Sequence, residues 1–355
     1  MSKNRNHAFD LLCGLCIIRM IMNHITGQCG FAQTEWWTGI MRWSYYLMAF
    51  FFFKAGYFNK TVSGDSRAFC KRKALNLLVP WLSWGLIGNA IYFFFTTFIF
   101  DQRNFMVKDI RLSHLWETGG FYGNGPLWFL FSFFSAYIAV HFLSKVRGLR
   151  WVALTFPFVS WWLSQHDNPL PLSLDNTFFG IFLFFLGRLW RWVIERLGRR
   201  SALLLSCVLL EAFFWLNLNY HGQYIMNANR FDGPAFTTVL AIVCILCGAS
   251  GLLISVHVPR IPLLCYIGEH SMVFFVAHDP MLLLYRCIRS ANVRTLRGHW
   301  DDWFILILVV FSLCLLLVPY VEKFPLLSGR FKKKTVPVSA EGSTVGESSA
   351  KAPEV

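Results

Sequence analysis

The chain carries ten successive runs of mostly apolar residues, and these runs constrain its fold more than any other feature of the sequence. A bilayer has a hydrocarbon core about 30 Å thick, so a helix rising about 1.5 Å per residue needs about 20 residues to cross it. Helices also satisfy the backbone polar groups that lipid cannot hydrogen-bond. The sequence therefore predicts an all-α, polytopic membrane protein with about ten transmembrane helices, the fifth of them short. The runs lie at about residues 9–27, 37–58, 74–98, 125–143, 150–164, 177–195, 202–219, 236–257, 261–286 and 303–322.

Composition and charge placement support this class. The chain is 55% hydrophobic and only 15% charged, which excludes an ordinary soluble globule. Its net charge of +14 would also suit a nucleic-acid-binding protein, but the basic residues lie in short loops between the apolar runs. Most of them fall on one side, although Arg289, Arg294 and Arg297 break the pattern. The positive-inside rule then predicts that both termini are cytoplasmic and that no nucleic acid is bound.

One membrane domain is predicted over residues 1–325. Residues 326–355 follow as a cytoplasmic segment that is basic at first; from about residue 335 the residues are small and polar and too poor in large apolar side chains to pack. We expect them to form a disordered cytoplasmic tail. The N-terminus runs straight into a long apolar segment with no small-residue cleavage site, which predicts a retained helix.

The first run carries three ionisable residues, Asp10, Arg19 and His24. Each such group in a lipid-embedded helix is unfavourable by roughly 2.5–3.5 kcal/mol on insertion scales, so these groups often mark a working site. In the alternative interpretation, Asp10 and His24 lie at the two interfaces and Arg19 extends its side chain to the membrane surface.

The ninth run carries four more ionisable residues, Glu269, His270, His278 and Asp279, and we expect Pro280 to kink it. His278 lies at a depth similar to that of His24, so the two histidines are predicted to share one cavity. Adjacent residues on a helix point about 100° apart, which makes Asp279 an unexpected direct partner for His278. Alternatively, Glu269 and His270 pair with each other or with neighbouring helix ends.

Six motifs occur in an order that resembles the integral-membrane acyltransferase 3 family, over roughly residues 6 to 322. They are FDLLCGLCII with the following His24, FFFFKAGYF at 50–58, KRKALNLLVPWLSW at 71–84, GPLWFL at 125–130, FLFFLGRLW at 182–190 and IGEHSMVFFVAHDP at 267–280. The resemblance implies transfer of an acyl group, often acetyl, from cytoplasmic acyl-CoA to a hydroxyl of an envelope polysaccharide, glycolipid or related acceptor. It implies a bacterial cytoplasmic (inner) membrane, acyl-CoA as co-substrate, no bound cofactor and no metal.

The chain departs from this family in its first run. The family has a basic residue, ten residues and then His; here the His is His24 and the basic position is Cys13. Eleven positions at about 100° each bring both residues to one face, about 16 Å apart. Arg19 is rotated from His24 by about 140°, so on phase alone it cannot replace the basic residue. We hypothesise that Lys54, on the next helix, supplies the missing charge; the alternative is that Lys54 extends to the inner interface.

The resemblance implies a set of site residues. His24 is the expected general base, because a neutral imidazole accepts a proton near neutral pH, and His278 is a second candidate. Clustered Lys and Arg side chains suit the phosphates of acyl-CoA, although such a cluster also anchors a helix end to anionic lipid. The expected acyl-CoA contacts are Lys54, Lys71, Arg72 and Lys73. The expected supporting residues are Asp10, Trp128, Glu269 and His270.

Two other functions stay open at this point. A transporter or flippase would also place His, Glu and Asp inside its spans. A non-catalytic relative that takes part in an envelope-assembly complex is suggested by Cys13 and by Asn76, where the family often has a second Arg. The acceptor and the acyl chain are not specified by any motif.

Overall fold

The computed structural model describes residues 6–44, 48–59, 65–99, 112–146, 148–166, 170–289 and 299–331. In chain order its helices are α1 (His7–Gln28), α2 (Glu35–Arg42), α3 (Ala49–Phe58), α4 (Ser66–Phe94, continued by a π-helical turn Phe95–Ile99), α5 (Leu112–Thr118), α6 (Trp128–Leu143), α7 (Leu149–Val152), α8 (Phe156–Ser164), α9 (Asp175–Arg196), α10 (Arg199–Tyr220), α11 (Ala235–Val256), α12 (Pro262–Glu269), α13 (Ser271–Arg289), α14 (Trp300–Val321) and α15 (Pro325–Ser328). Arg294, Arg297 and residues 332–355 of the predicted tail lie outside the described residues.

Within the described ranges, eight helices are long and apolar enough to cross a bilayer: α1, α4, α6, α9, α10, α11, α13 and α14. The prediction of an all-α, multi-pass membrane protein is therefore confirmed. Three predicted runs differ from single spans. Run 37–58 forms the short helices α2 and α3, and run 150–164 forms α7, a 3₁₀ turn (Ala153–Thr155) and α8.

The ninth run is interrupted at His270, where α12 ends and α13 begins, whereas α13 continues through Pro280. Both parts pack against α1. Gly14 and Gly268 let the backbones of α1 and α12 touch, because a Cβ at either position would overlap a carbonyl of the other helix. This contact fixes α1 in the centre of the bundle, where Ile17, Ile21 and Ile25 are fully buried.

The ten-residue helix α3 is held against α9 by a second close approach. A Cβ at Gly56 would overlap the Phe184 carbonyl, and a Cβ at Gly187 would overlap the Phe53 carbonyl. Because neither glycine has a side chain, the two backbones can meet directly. The consequence for the site is that Lys54, between these contacts, is carried by a helix in a fixed position.

The two ends of the bundle differ in composition. The end at which α1 begins, α3 ends and α4 begins carries Lys71, Arg72 and Lys145, and we call it the basic end. The other, distal, end carries a two-stranded antiparallel hairpin, β1 (Gln223–Ile225) and β2 (Arg230–Asp232), between α10 and α11. Tyr224 of the hairpin is buried and donates its hydroxyl to Asn229 Oδ1 at 2.9 Å. Burial raises the pKa of Tyr224, so the phenol stays neutral.

Candidate active site

A cavity of about 930 Å³, the distal cavity, opens at the distal end of the bundle. Its wall includes His24 and Arg19 of α1, Trp128 at the start of α6, and Asp279 and Arg286 of α13. Residues of α2, α5 and the β-hairpin complete it. Three of the sequence-predicted features, the end of the first run, the GPLWFL motif and the ninth run, therefore meet in one place.

His24, His278 and Asp279, which we call the His24 cluster, lie together at this wall. The two imidazole centroids are 5.1 Å apart, and the nearest polar atoms of the three residues all lie within 4.8 Å of one another. The sequence analysis predicts that the two histidines share one cavity; the structure places their rings side by side but does not place both on the cavity wall. His24 faces the cavity, whereas His278 is fully buried behind it.

Hydrogen bonds orient the two members of the cluster on α13. His278 Nδ1 lies 2.7 Å from the Phe275 carbonyl oxygen, which can only accept, so Nδ1 carries the proton. The lone pair of Nε2 is then buried with no hydrogen-bond partner among the described residues. Asp279 Oδ2 accepts from the Gly125 amide at 2.9 Å, at the start of the 3₁₀ turn (Gly125–Leu127) that leads into α6. A helix start offers unpaired amides to an anion, so this arrangement stabilises the carboxylate.

Arg19 and Arg286 also line the cavity, although neither belongs to the expected set of site residues. Helical phase rotates Arg19 away from His24, but its long side chain still reaches the shared cavity. A charge in the middle of a span indicates that Arg19 faces a cavity, although its helical phase differs from that of His24. Arg286 donates from Nη1 to Gln28 Oε1 at 2.7 Å, one turn of α1 beyond His24. The hairpin residues of the wall carry no signal, because strands of three residues in a polar loop leave no periodic pattern.

At the basic end, Lys54 lies next to Cys13. The Lys54 ammonium is 2.9 Å from Cys13 Sγ, and the thiol is fully buried. Lys54 thus has the position that the charge-replacement hypothesis requires, while its role stays a prediction.

Lys54 also lines a second cavity of about 370 Å³, the basic-end cavity. Its wall includes Lys73, whose ammonium lies 3.2 Å from the centroid of the Tyr137 ring. Lys71 and Arg72 are exposed beside it near the start of α4. Of the three predicted contacts in this basic stretch, Lys73 lines the cavity and the other two lie at the same end.

An aromatic layer separates the two cavities. The Phe51 ring lines the basic-end cavity, and the Phe275 ring lines the distal cavity. The buried Phe129 ring stands between them, with centroid distances of 5.8 Å to Phe51 and 5.3 Å to Phe275. We call these three rings the aromatic barrier.

Three predicted supporting residues lie away from His24. His270 Nδ1 is 2.5 Å from Glu322 Oε1, and Glu269 pairs with Arg260 at 3.5 Å. This matches the alternative interpretation, in which both residues pair with neighbouring helix ends. Asp10 is buried near the start of α1, against α12. Of the four predicted supporting residues, the structure brings only Trp128 to the distal cavity.

The His24 cluster also has the chemical character of a metal site, because two imidazoles and a carboxylate are common ligands of zinc. Arg19 and Arg286 line the same cavity and add two positive charges beside one carboxylate. This electrostatic environment disfavours a cation.

The chain matches a known family over most of its length. The model of the acyltransferase 3 family, described as an acyltransferase domain, matches residues 6–321. No curated protein and no solved structure matches the chain. The matched range includes all eight long helices and the walls of both cavities.

Proposed function

Since the chain belongs to the acyltransferase 3 family and is a multi-pass membrane acyltransferase, we propose that it transfers an acyl group from cytoplasmic acyl-CoA to a hydroxyl of an envelope polysaccharide, glycolipid or related acceptor. The acyl group that we expect is acetyl. One observation carries the proposal. A lysine-lined cavity and a histidine-lined cavity open at opposite ends of the bundle, and the rings of the aromatic barrier link their walls. A donor and an acceptor from opposite sides of a membrane need such an arrangement.

In this proposal the basic end faces the cytoplasm of a bacterial cell and the membrane is the cytoplasmic one. Lys71, Arg72, Lys145 and Arg199 all belong to loops or helix ends there, in keeping with the positive-inside rule. Both termini are then cytoplasmic. The acceptor enters the distal cavity from outside the cell.

The donor binds at the basic end. Coenzyme A is a polyanion, and the Lys54 and Lys73 ammonium groups can contact its phosphates while the phenyl rings of the same cavity pack on its apolar arm. Lys71 and Arg72 add positive charge at the entrance. The thioester must then pass the aromatic barrier to reach His24.

His24 acts as the general base on the acceptor. Its imidazole takes the proton of the acceptor hydroxyl while that oxygen bonds to the thioester carbonyl carbon, and the carbonyl electron pair moves to oxygen. The tetrahedral species then collapses and the carbon–sulfur bond breaks. Coenzyme A leaves as its thiolate, while the proton taken from the acceptor is held by His24. His278 and Asp279 support this step by orienting the His24 ring within the cluster.

The test uses the purified full chain in lipid nanodiscs with acetyl-CoA and an extract of envelope glycans and glycolipids. We expect release of free coenzyme A and a matching acyl mass increment on an acceptor, and loss of both in His24→Gln. His166→Gln, an exposed histidine at the end of α8 outside both cavity walls, is the matched control and should keep turnover. Wild-type protein that neither binds nor cleaves acetyl-CoA contradicts the proposal.

A transporter is the second candidate, because two cavities on opposite sides of a barrier also suit alternating access. In that case substrate uptake into vesicles should proceed without acyl-CoA and should survive His24→Gln. The two functions therefore give opposite results for the same variant.

A further inference from the structure

Arg19 is a cation in the middle of α1 that has no role in the function above. It is the thirteenth of the 22 residues of this helix, far from either end. An arginine at this depth is unfavourable in lipid, and such residues usually face a working cavity. Arg19 does so, because it lines the distal cavity together with His24.

Its position along α1 is between the two predicted substrates. Arg19 is five residues from His24 and six from Cys13, which are about 7.5 Å and about 9 Å of helix rise. Because Lys54 lies beside Cys13, the order along the axis from the basic end is Lys54, Arg19 and His24. An acyl donor that enters past Lys54 brings its thioester to His24 from the side on which Arg19 lies.

The reaction needs a group in that position. Attack on a thioester places a full negative charge on the former carbonyl oxygen, and donors aimed at this oxygen contribute much of the rate enhancement of acyl transfer. A guanidinium carries five N–H donors and a permanent positive charge, and its effect is large where water is excluded.

The other cations of the distal cavity are placed differently. Arg286 lies beyond His24, on the acceptor side, where it donates to Gln28. Arg230 of the hairpin pairs with Asp232 through two contacts of 2.9 and 3.2 Å. Three cations line this cavity in the described ranges, and of these Arg19 is the one that lies on the donor side of His24.

We propose that Arg19 is a catalytic residue whose guanidinium stabilises the oxyanion formed when the acceptor attacks the thioester. The inference rests on the proposed function. Two complementary roles then belong to one helix, since His24 moves the proton and Arg19 holds the developing charge on the carbonyl oxygen.

The experiment measures kcat for acetyl-CoA turnover with the envelope extract, and separately the dissociation constant for acetyl-CoA by equilibrium dialysis. Loss of one oxyanion donor lowers kcat by about 100- to 1,000-fold. We expect a fall of this size in Arg19→Gln, with a dissociation constant within about twofold of wild type, and a smaller fall in Arg19→Lys. Guanidinium ions at millimolar concentration should partly restore kcat in Arg19→Ala, which a merely structural arginine would not show.

Arg188→Gln is the matched control, since Arg188 is also an arginine within a span but donates to Ser144 Oγ at 2.5 Å, away from both cavities. It should keep kcat. If Arg19→Gln and Arg19→Lys retain wild-type kcat while His24→Gln is inactive, the oxyanion role is refuted and the proposed function stands. If Arg19→Gln weakens acetyl-CoA binding at unchanged kcat, Arg19 is a binding residue and the inference is equally refuted. Absence of acetyl-CoA binding and turnover in the wild type refutes the proposed function first.

Discussion

A charge-exchange experiment between Cys13 and Lys54 tests how the donor end of the site is built. The Lys54 ammonium lies 2.9 Å from Cys13 Sγ, so an arginine introduced at position 13 would project into the space that the ammonium occupies. Lys54→Met removes the charge and keeps the length of the side chain. Cys13→Arg in the same chain then returns a positive charge from α1 instead of α3.

The expected size of the effect follows from the kind of contact. A hydrogen bond to a charged group contributes about 1.5–3 kcal/mol. At about 1.4 kcal/mol per factor of ten, Lys54→Met should raise KM for acetyl-CoA by about 10- to 150-fold. The double variant Cys13→Arg/Lys54→Met should return KM to within about threefold of wild type, because the arginine offers the same charge to the same phosphate.

The assay is steady-state turnover of acetyl-CoA by protein in nanodiscs, with thermal unfolding recorded for every variant. Lys145→Met is the matched control, because Lys145 is an exposed lysine at the same end and contacts Ser66 rather than the basic-end cavity. A folded Lys54→Met protein with unchanged KM would refute the reasoning, as would a folded double variant that is as impaired as the single one. In either case the ammonium beside Cys13 serves the fold, and not the donor.

The remaining predictions concern the aromatic barrier and the metal-like ligand set. Phe129→Ala should open a path between the two cavities and raise acetyl-CoA hydrolysis in the absence of acceptor. Phe184 is a buried core ring outside both cavity walls, so Phe184→Ala should lower the unfolding temperature without raising this hydrolysis. Each change costs about 3–5 kcal/mol of stability. Equal leakage in both variants would mean that loosened packing, and not the barrier, controls access. Chelation with EDTA should leave turnover unchanged because two arginines disfavour a cation beside the His24 cluster; loss of turnover that zinc restores would contradict this.

The sequence was sufficient for those parts of the fold that depend on a single segment. Apolar length predicts each long helix, because lipid imposes the same requirement on every span. It fails for run 37–58, which forms two short helices; Arg42, the last residue of α2, donates to the Asn217 and Leu218 carbonyls of α10. It fails for the ninth run as well, where His270, at the interruption, pairs with Glu322 of a distant segment. A hydropathy pattern contains neither partner.

The site shows the same division between what one helix determines and what several helices determine together. Helical spacing predicts that His24 and His278 meet, because each depth is counted along one span. The phase of a Cβ does not predict where an arginine guanidinium ends, which is why a rotation of about 140° does not keep Arg19 out of the cavity. Side chains that reach across a cavity follow the shape of the cavity, and that shape depends on α2, α5 and the hairpin. The three-residue strands of the hairpin carry no periodic signal.

In the proposed reaction, the central position of α1 explains how Cys13 can occupy the family's basic position without emptying the donor path of charge. The backbone contacts of Gly14 and Gly268 hold α1 against α12, so Cys13, Arg19, His24 and Gln28 keep fixed heights along one rigid axis. At the height of Cys13 the cation is Lys54 of α3. At the next height it is Arg19 of α1 itself, and at the height of Gln28 it is Arg286 of α13. In the proposed reaction these heights serve, in turn, donor binding, oxyanion stabilisation, proton transfer and acceptor binding. A charge that only has to lie at a given height can be supplied by any helix that passes there, whereas the base must stay at the one height where donor and acceptor meet.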